Sequence, residues 1–276
     1  IGPDGALYFL TGGRKLESDL YRVYYGNNAE NTQKLSTPEL TEDQKTRRKL
    51  EEFHGAPRAG AVDFAWPFLK SNDRYIRYAA RIAIENQPLD QWQDKALNEK
   101  DPVIITQVVI ALARKGNASV RNQLLKSLTS VDYVKLSAQQ QMDLLRAFEL
   151  VLSRLGLPDA DGKSLVIGYL NPHYPSKTNN LNRELSKLLV YLDAPQAVEK
   201  TMALMNDAKD DDINQNAISQ SADLILRNPQ YGMDIAGMLS KIPPSQQTWY
   251  ATVLSQAKNG WTPEFREQYF NWLYKA

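Results

Sequence analysis

Apolar residues recur at helical spacing along most of this chain, from about Pro38 to its last residue. Pro, Gly, Asn or Asp interrupts them about every ten to twenty residues. Interrupted periodicity of this kind predicts a series of short amphipathic helices joined by tight connections. Because a short amphipathic helix cannot bury its own apolar stripe, each one must pack against its neighbours.

The predicted helices pair into hairpins. Asp73 and Asp101 stand at the start of the second helix in two successive hairpins, where a carboxylate caps free amide groups. These aspartates are 28 positions apart (101 minus 73), a spacing typical of a two-helix repeat. The predicted pairs are 60–69 with 73–86, 89–97 with 102–114, 120–128 with 139–155, 163–170 with 181–192, 195–205 with 213–226, and 233–239 with 246–258.

A final helix is signalled by Thr262 as N-cap, Pro263 in the first turn and Glu264 near the positive end of the helix dipole. Its predicted apolar face carries Phe265, Tyr269, Trp272 and Leu273. Stacked two-helix repeats predict an all-α fold, an α-solenoid or α-α superhelix. A compact irregular bundle is the competing architecture.

The N-terminal residues have a different character. A Pro-Asp-Gly turn leads into a short apolar strand within residues 1–10, and an alternating segment over 19–25 predicts a second strand. Because an isolated two-stranded hairpin is marginal in water, we expect these strands to belong to a larger sheet and the chain to be an internal piece of a longer polypeptide. The predicted division is a β-hairpin and linker over 1–33 and a helical-repeat domain over 34–276.

Composition excludes several classes of function. The 33 Lys and Arg residues against 32 Asp and Glu leave a net charge of +1, which gives nucleic acid no general electrostatic attraction. Apolar runs such as 103–113 are much shorter than the roughly 20 residues of a membrane span. With no Cys, the chain has no disulfide, thiolate metal site, thiol nucleophile or haem attachment motif of its own.

Two histidines limit acid-base and metal chemistry. His54 follows a predicted helix end, where it is expected to interact with the helix dipole or to pack. His173 lies in a loop bracketed by prolines, where solvation is the simplest expectation and a groove position the alternative. The two are 119 positions apart (173 minus 54), so a shared metal site is not predicted.

Three other motifs have a simpler structural explanation, and a fourth is a sequence pattern alone. Asp159-Ala-Asp161-Gly162 resembles the start of a calcium loop but lacks the remaining ligands, so a turn into a helix is predicted. Asp210-Asp-Asp212 precedes a predicted helix and suits its N-terminus. Gly12-Gly13-Arg14 is predicted as a hairpin turn because a strand, not a helix, follows it. Asn117-Ala-Ser119 matches the glycosylation pattern alone. No catalytic, cofactor-binding or metal-binding residue is therefore assigned.

Aromatic residues leave one binding hypothesis open. The chain has 5 Trp and 14 Tyr. The tryptophans are dispersed, so packing between helices is expected for most, while Tyr and Trp on one concave face would form a site for a glycan or a protein segment. The tryptophans are Trp66, Trp92, Trp249, Trp261 and Trp272.

Several segments carry a resemblance to known proteins. The helix that begins Asp73-Arg-Tyr-Ile-Arg77-Tyr-Ala-Ala80 resembles the second helix of a HEAT repeat. Residues 2–9 with Gly12-Gly-Arg and 19–23 resemble the closing blade of a sorbosone or glucose dehydrogenase-like β-propeller, and His54-Gly with Ala65-Trp-Pro resemble the segment after it. The stretch 260–272 is similar to the region before a c-type cytochrome domain. Together these segments resemble bacterial multidomain proteins described as membrane-bound dehydrogenases.

That resemblance implies a HEAT-like solenoid within an exported, periplasmic or cell-envelope protein. The parent would carry haem c and a propeller-bound quinone or metal ion, with a sugar or alcohol as substrate. This chain retains one hairpin of the propeller and no haem motif, so neither activity nor cofactor is assigned to it.

Three functional hypotheses result. The leading one is a noncatalytic scaffold or spacer that positions the flanking propeller and cytochrome domains of the same polypeptide. The alternative is a protein- or carbohydrate-binding module that uses the concave face of the solenoid. An enzyme with its site in this chain is the third, and no convergent set of nucleophile, base or metal ligands supports it.

Overall fold

The computed structural model describes residues 2, 4–13, 16–24, 39–209 and 243–276. The chain divides into two compact units, Ile1–Thr46 and Arg47–Ala276. The predicted boundary at 33/34 lies outside the described residues. The described part is mostly helical, as predicted, and begins with a two-stranded antiparallel hairpin.

The first unit contains strands β1 (Leu7–Gly13) and β2 (Leu16–Val23), which confirms the predicted hairpin. In the register, Leu7 lies opposite Val23 and Phe9 opposite Tyr21, whose rings stack at 5.1 Å. Large apolar side chains of both strands are exposed, from 42% at Tyr8 to 76% at Leu10. Each face of this hairpin therefore presents apolar surface to solvent.

Asp4 fixes the chain before β1. Its carboxylate accepts hydrogen bonds from Tyr8 Oη at 2.7 Å and from the Ala6 amide, and it forms an ion pair with Arg22 at 2.8 Å. The Tyr8 hydrogen bond, followed by the Ala6 amide, lowers the pKa of Asp4 to about 2. The Pro-Asp-Gly turn is thus joined to the second strand by side-chain contacts.

Twelve α-helices lie in the described residues. The first six are α1 (Glu42–Glu51), α2 (Ala61–Ala65), α3 (Arg74–Glu85), α4 (Gln93–Leu97), α5 (Pro102–Lys115) and α6 (Arg121–Thr129). The others are α7 (Ala138–Leu155), α8 (Ala160–Leu170), α9 (Asn179–Tyr191), α10 (Ala197–Asp207), α11 (Ser245–Leu254) and α12 (Pro263–Lys275). A 3-10 turn, Trp66–Lys70, continues α2.

Several boundaries follow from the capping residues predicted above. Asp73 accepts hydrogen bonds from the amides of residues 75 and 76, and Asp101 does the same for residues 103 and 104. Thr262 accepts from the amide of Phe265 at the start of α12. The predicted second helices 73–86, 102–114, 139–155 and 181–192 agree with the structure to within two residues, whereas α11 ends at Leu254, four residues before the predicted end at 258. The predicted helices 213–226 and 233–239 lie outside the described residues.

Packing arranges the second unit in two rows of helices. In one row α3 contacts α5, α5 contacts α7, α7 contacts α9, and α9 contacts α11. Behind it α4 contacts α6 and α6 contacts α8, and both rows bury their apolar faces in one continuous core. Its largest fully buried side chains include Trp92, Phe148 and Leu145.

A second cluster joins α10, α11 and α12 through Met202, Tyr250, Leu254 and Tyr269. Tyr269 Oη donates to the Ala251 carbonyl at 3.0 Å, which ties α12 to α11. The predicted apolar face of α12 is only partly covered, because Leu273 is 46% exposed.

Candidate functional site

Two adjacent depressions lie on one side of the row α3, α5, α7, α9 and α11. We call the solvent-facing side of that row the row face. Helical spacing places its side chains: residues 143, 146, 149 and 153 of α7 recur at three- and four-residue intervals and so share one side of the helix. Residues 187 and 191 likewise share one side of α9, and residues 249, 252 and 256 recur at the same intervals along α11 and just past its end.

The first depression, the arginine pocket, has a volume of about 200 Å³ and lies over α3, α5 and α7. Four of its lining residues are cationic and one is anionic, a net of three positive charges (4 minus 1). Its lining consists of Arg74, Arg77, Tyr78, Arg81, Gln107, Ile110, Asp143 and Arg146.

The arginines are fixed by different contacts. Arg74 donates to Tyr75 Oη at 2.9 Å and lies over that ring. Arg77 donates to the carbonyls of Ser71 and Asn72, which precede its own helix. Both guanidinium groups are held by contacts within α3 and the segment just before it, so the pocket wall on this side is preformed.

Arg81 belongs to a buried ionic cluster. Its Nε is 3.2 Å from Glu85 Oε1 without hydrogen-bond alignment, while Glu85 Oε2 accepts from Arg114 Nε of α5 at 2.8 Å. Arg81 also donates to Gln107. Burial, with the charge of Arg114 also contributing, lowers the pKa of Arg81, although Glu85 opposes this shift.

The second depression, the apolar groove, lies over α7, α9 and α11 and has a volume of about 360 Å³. Mostly carbon atoms form its wall. The residues that line it are Glu149, Leu152, Ser153, Lys187, Leu188, Val190, Tyr191, Trp249, Thr252, Val253 and Gln256. An apolar side chain would be desolvated here on several sides.

Trp249 is the distinctive residue of this groove. Arg183 and Lys187 lie 5.4 and 5.9 Å from its ring centre. Its indole nitrogen is buried and has no hydrogen-bond partner among the described residues, whereas the other four tryptophan nitrogens donate to Glu99, Gln87, Ala257 and Gln247. Trp249 is thus held at the groove by packing and cation-π contacts, with no directional bond.

A chain of ion pairs runs from the arginine pocket to the wall of the apolar groove. Arg146 at the edge of the arginine pocket pairs with Glu149, and Glu149 also accepts from Lys187 at 2.8 Å. Burial alone would raise the pKa of Glu149, but hydrogen bonds from Lys187 and Arg146 outweigh it, and the pKa is lowered. Lys187 also pairs with Glu184 at 2.7 Å, and its pKa is raised because these two bonds outweigh its burial.

His54 packs, as expected. Its Nε2 donates to the Ala79 carbonyl of α3 at 2.9 Å. The expectation of a solvated His173 was wrong: its ring stacks on Tyr133 at 4.2 Å and meets Tyr169 edge-on at 6.2 Å. Burial in this aromatic cluster lowers the pKa of His173. Proline spacing could not reveal these rings, because they come from other helices and turns.

The other sequence candidates have structural roles where they are described. Asp159 accepts from the Gly162 amide at 2.8 Å and caps α8, as the turn hypothesis predicted. Gly12 and Gly13 end β1 where the chain turns toward β2. Asn117 Oδ1 accepts from the Ser119 amide and hydroxyl, so it caps a short turn. Asp210–Asp212 lies outside the described residues.

Within the described residues, His, Asp and Glu side chains form no cluster that could hold a metal ion. Among these same residues, every helix is too short or too polar to cross a membrane.

The tryptophans divide between core and groove. Trp66 and Trp92 are buried, as expected for packing, and Trp261 and Trp272 are partly buried around α12. Of the exposed tyrosines, Tyr78 lines the arginine pocket and Tyr191 the apolar groove. Aromatic residues on the row face are therefore few, and they accompany arginines and aliphatic residues.

Sequence reasoning missed both depressions. One available signal was the spacing of Arg74, Arg77 and Arg81 at i, i+3 and i+7, which places three cations on one side of α3. Their convergence with Arg146 depends on the packing of α3, α5 and α7, which no local pattern specifies.

The fold and these two depressions define a helical protein with an N-terminal hairpin and a mixed cationic and apolar surface. Comparison with known proteins does not extend this description: no family model, no curated protein and no solved structure matches the chain.

Proposed function

We propose that this chain is a noncatalytic HEAT-like α-solenoid that acts as a scaffold and holds a protein segment on its row face. The order of packing supports the solenoid: α3, α5, α7, α9 and α11 contact one another in sequence order, with shorter helices behind them. Nearest-neighbour packing of this kind is what stacked two-helix repeats produce.

One observation carries the binding role: the apolar groove lies directly beside the arginine pocket on the same row of helices. An apolar surface that the fold leaves uncovered is typical of an interaction site. A protein segment suits it better than a glycan, because sugar recognition requires many hydrogen-bonding groups and this groove is lined mostly by carbon.

A second proposal concerns the parent polypeptide and rests on the resemblance alone. The partner segment would belong to a flanking propeller or cytochrome domain of an exported protein, and the haem and any propeller cofactor would lie in those domains. The apolar side chains that the hairpin exposes, and the marginal stability of two strands alone, favour its incorporation into a larger sheet. Gel electrophoresis of the intact protein from its source, with a stain for covalent haem, tests this arrangement. A haem-stained band much larger than 31.3 kDa would support it, and a haem-free band near 31.3 kDa would contradict it.

Site-specific crosslinking in the source cells tests the binding role. A photo-crosslinking amino acid at Thr252, an exposed groove position, is expected to capture one defined protein segment. The matched control is Gln123, an exposed residue of α6 in the other row. Crosslinked peptides that are equally abundant and diverse at both positions would overturn the proposal.

A further inference from the structure

We propose that the segment bound on the row face is acidic at one end and aliphatic at the other. Its carboxylates would lie in the arginine pocket and its large apolar side chains in the groove beside Trp249. This inference rests on the proposed function and adds the chemistry of the partner.

Charge complementarity identifies the acidic end. Four arginines and one aspartate line the pocket; Arg81 pairs with Glu85 and Arg146 with Glu149, while Arg74 and Arg77 have no carboxylate partner among the described residues. Arg74, Arg77 and Arg146 each use one terminal nitrogen in a described hydrogen bond. A guanidinium has five N–H donors, so donors remain for a carboxylate, which arginine binds in a bidentate geometry.

The distance between the two depressions sets the spacing of the motif. Arg146 and Ser153 lie on the same helix, seven positions apart (153 minus 146), which corresponds to about 10 Å at 1.5 Å per residue. An extended peptide advances about 3.3 Å per residue, so roughly three residues would connect the acidic and apolar groups. The occupant is thus a short linear segment in which acidic residues lie about three positions from Leu or Ile.

The apolar groove argues against nucleic acid as the occupant. Backbone phosphates would use the arginines, but successive nucleic-acid bases stack on several exposed aromatic faces, and two of the eleven groove residues, Tyr191 and Trp249, are aromatic. Glu149, which pairs with Arg146 and Lys187, also puts a carboxylate at the groove wall beside the arginine pocket, where a continuous polyanion would pass. A segment with one acidic end avoids this repulsion.

Fluorescence anisotropy with synthetic peptides tests the inference. The probe is a fluorescein-labelled eight-residue peptide with three acidic residues, a Gly-Ser spacer and three large aliphatic residues. One comparison peptide replaces the acidic residues by Lys, and another replaces the aliphatic residues by Ser. We expect each comparison peptide to bind at least about tenfold more weakly, since loss of either contact costs more than about 1.4 kcal/mol.

Charge-matched variants locate the contact. R74Q/R146Q is expected to weaken binding of the acidic peptide about tenfold. The control R58Q/K126Q removes the same charge at exposed positions outside the pocket and should change affinity less than about twofold. The variant T252W places an indole in the groove and should weaken binding of the acidic peptide. It should have little effect on binding of the comparison peptide in which Ser replaces the aliphatic residues, because that peptide binds through its charges alone.

Several outcomes would overturn the inference. Equal affinity for the three peptides would show that the pocket does not select an acidic segment. So would an equal loss of affinity for the acidic peptide in R74Q/R146Q and in R58Q/K126Q. Binding of an oligothymidine as tight as that of the acidic peptide would assign the face to nucleic acid. If the crosslinker at position 252 captures one defined segment that lacks acidic residues, the binding role stands and the acidic partner is wrong. If it captures no defined segment, the binding role itself fails.

Discussion

At the scale of single residues, two tyrosines of one aromatic cluster differ in a way that can be measured. The hydroxyl of Tyr133 is buried without a hydrogen-bond partner in the described part of the chain, while Tyr169 donates to the Val131 carbonyl at 2.7 Å. We expect Tyr133→Phe to be neutral or slightly stabilising, because it removes an unsatisfied polar group. Tyr169→Phe should lower the free energy of unfolding by about 1 kcal/mol. Urea denaturation at pH 7 measures both, and a larger loss for Tyr133→Phe would contradict the assignment.

The same tyrosine predicts a pH dependence. Burial raises the pKa of Tyr133 from 10.0 to about 12. Above pH 10 the unfolded chain therefore loses this proton before the folded chain does, and folding stability falls as the pH rises toward 12. Tyr133→Phe lacks this proton, so its stability should fall less than that of the wild type between pH 9 and about 11. An unchanged difference between the two proteins across this range would contradict the predicted titration.

At the scale of elements, the buried ionic cluster joins α3 to α5. Glu85 is 5% exposed and contacts arginines of both helices, Arg81 at 3.2 Å and Arg114 at 2.8 Å. Glu85→Gln leaves these cations without their counter-ion, and we expect the free energy of unfolding to fall by roughly 2 to 4 kcal/mol. The control Glu51→Gln breaks an exposed pair with Arg47 and should cost less than about 0.5 kcal/mol. Similar losses in the two variants would show that the cluster is not buried in solution.

Elements were also the scale at which sequence reasoning was most informative. Caps and helical periodicity are local, so Asp73, Asp101 and Thr262 marked helix starts that the structure confirms. The environment of His173 was mispredicted because the Tyr133 and Tyr169 rings come from other elements. The arginine pocket and the apolar groove were missed for the same reason: each requires side chains from three helices whose pairing is set by the core.

At the scale of the whole molecule, the row of helices explains how one protein can present two unlike surfaces side by side. α7 contributes to both depressions, with Asp143 and Arg146 at the arginine pocket and Glu149 and Leu152 at the groove. The core behind the row is continuous, so the relative position of the two depressions is fixed by packing. The partner segment that we propose would therefore meet a preformed spacing, which would lower the entropic cost of its recognition.

The division into two compact units gives the last prediction. Because Arg47–Ala276 forms its own compact unit with its own core, a chain that begins at Glu39 should retain its helical circular dichroism spectrum. Its thermal midpoint should lie within about 2 °C of the full chain, since the loss of a separate unit removes little of the core stability. A peptide of residues 1–24 should be largely unfolded, because two strands without further packing are marginal in water. Loss of cooperative unfolding in the shortened chain would show instead that the helical unit depends on residues before Glu39.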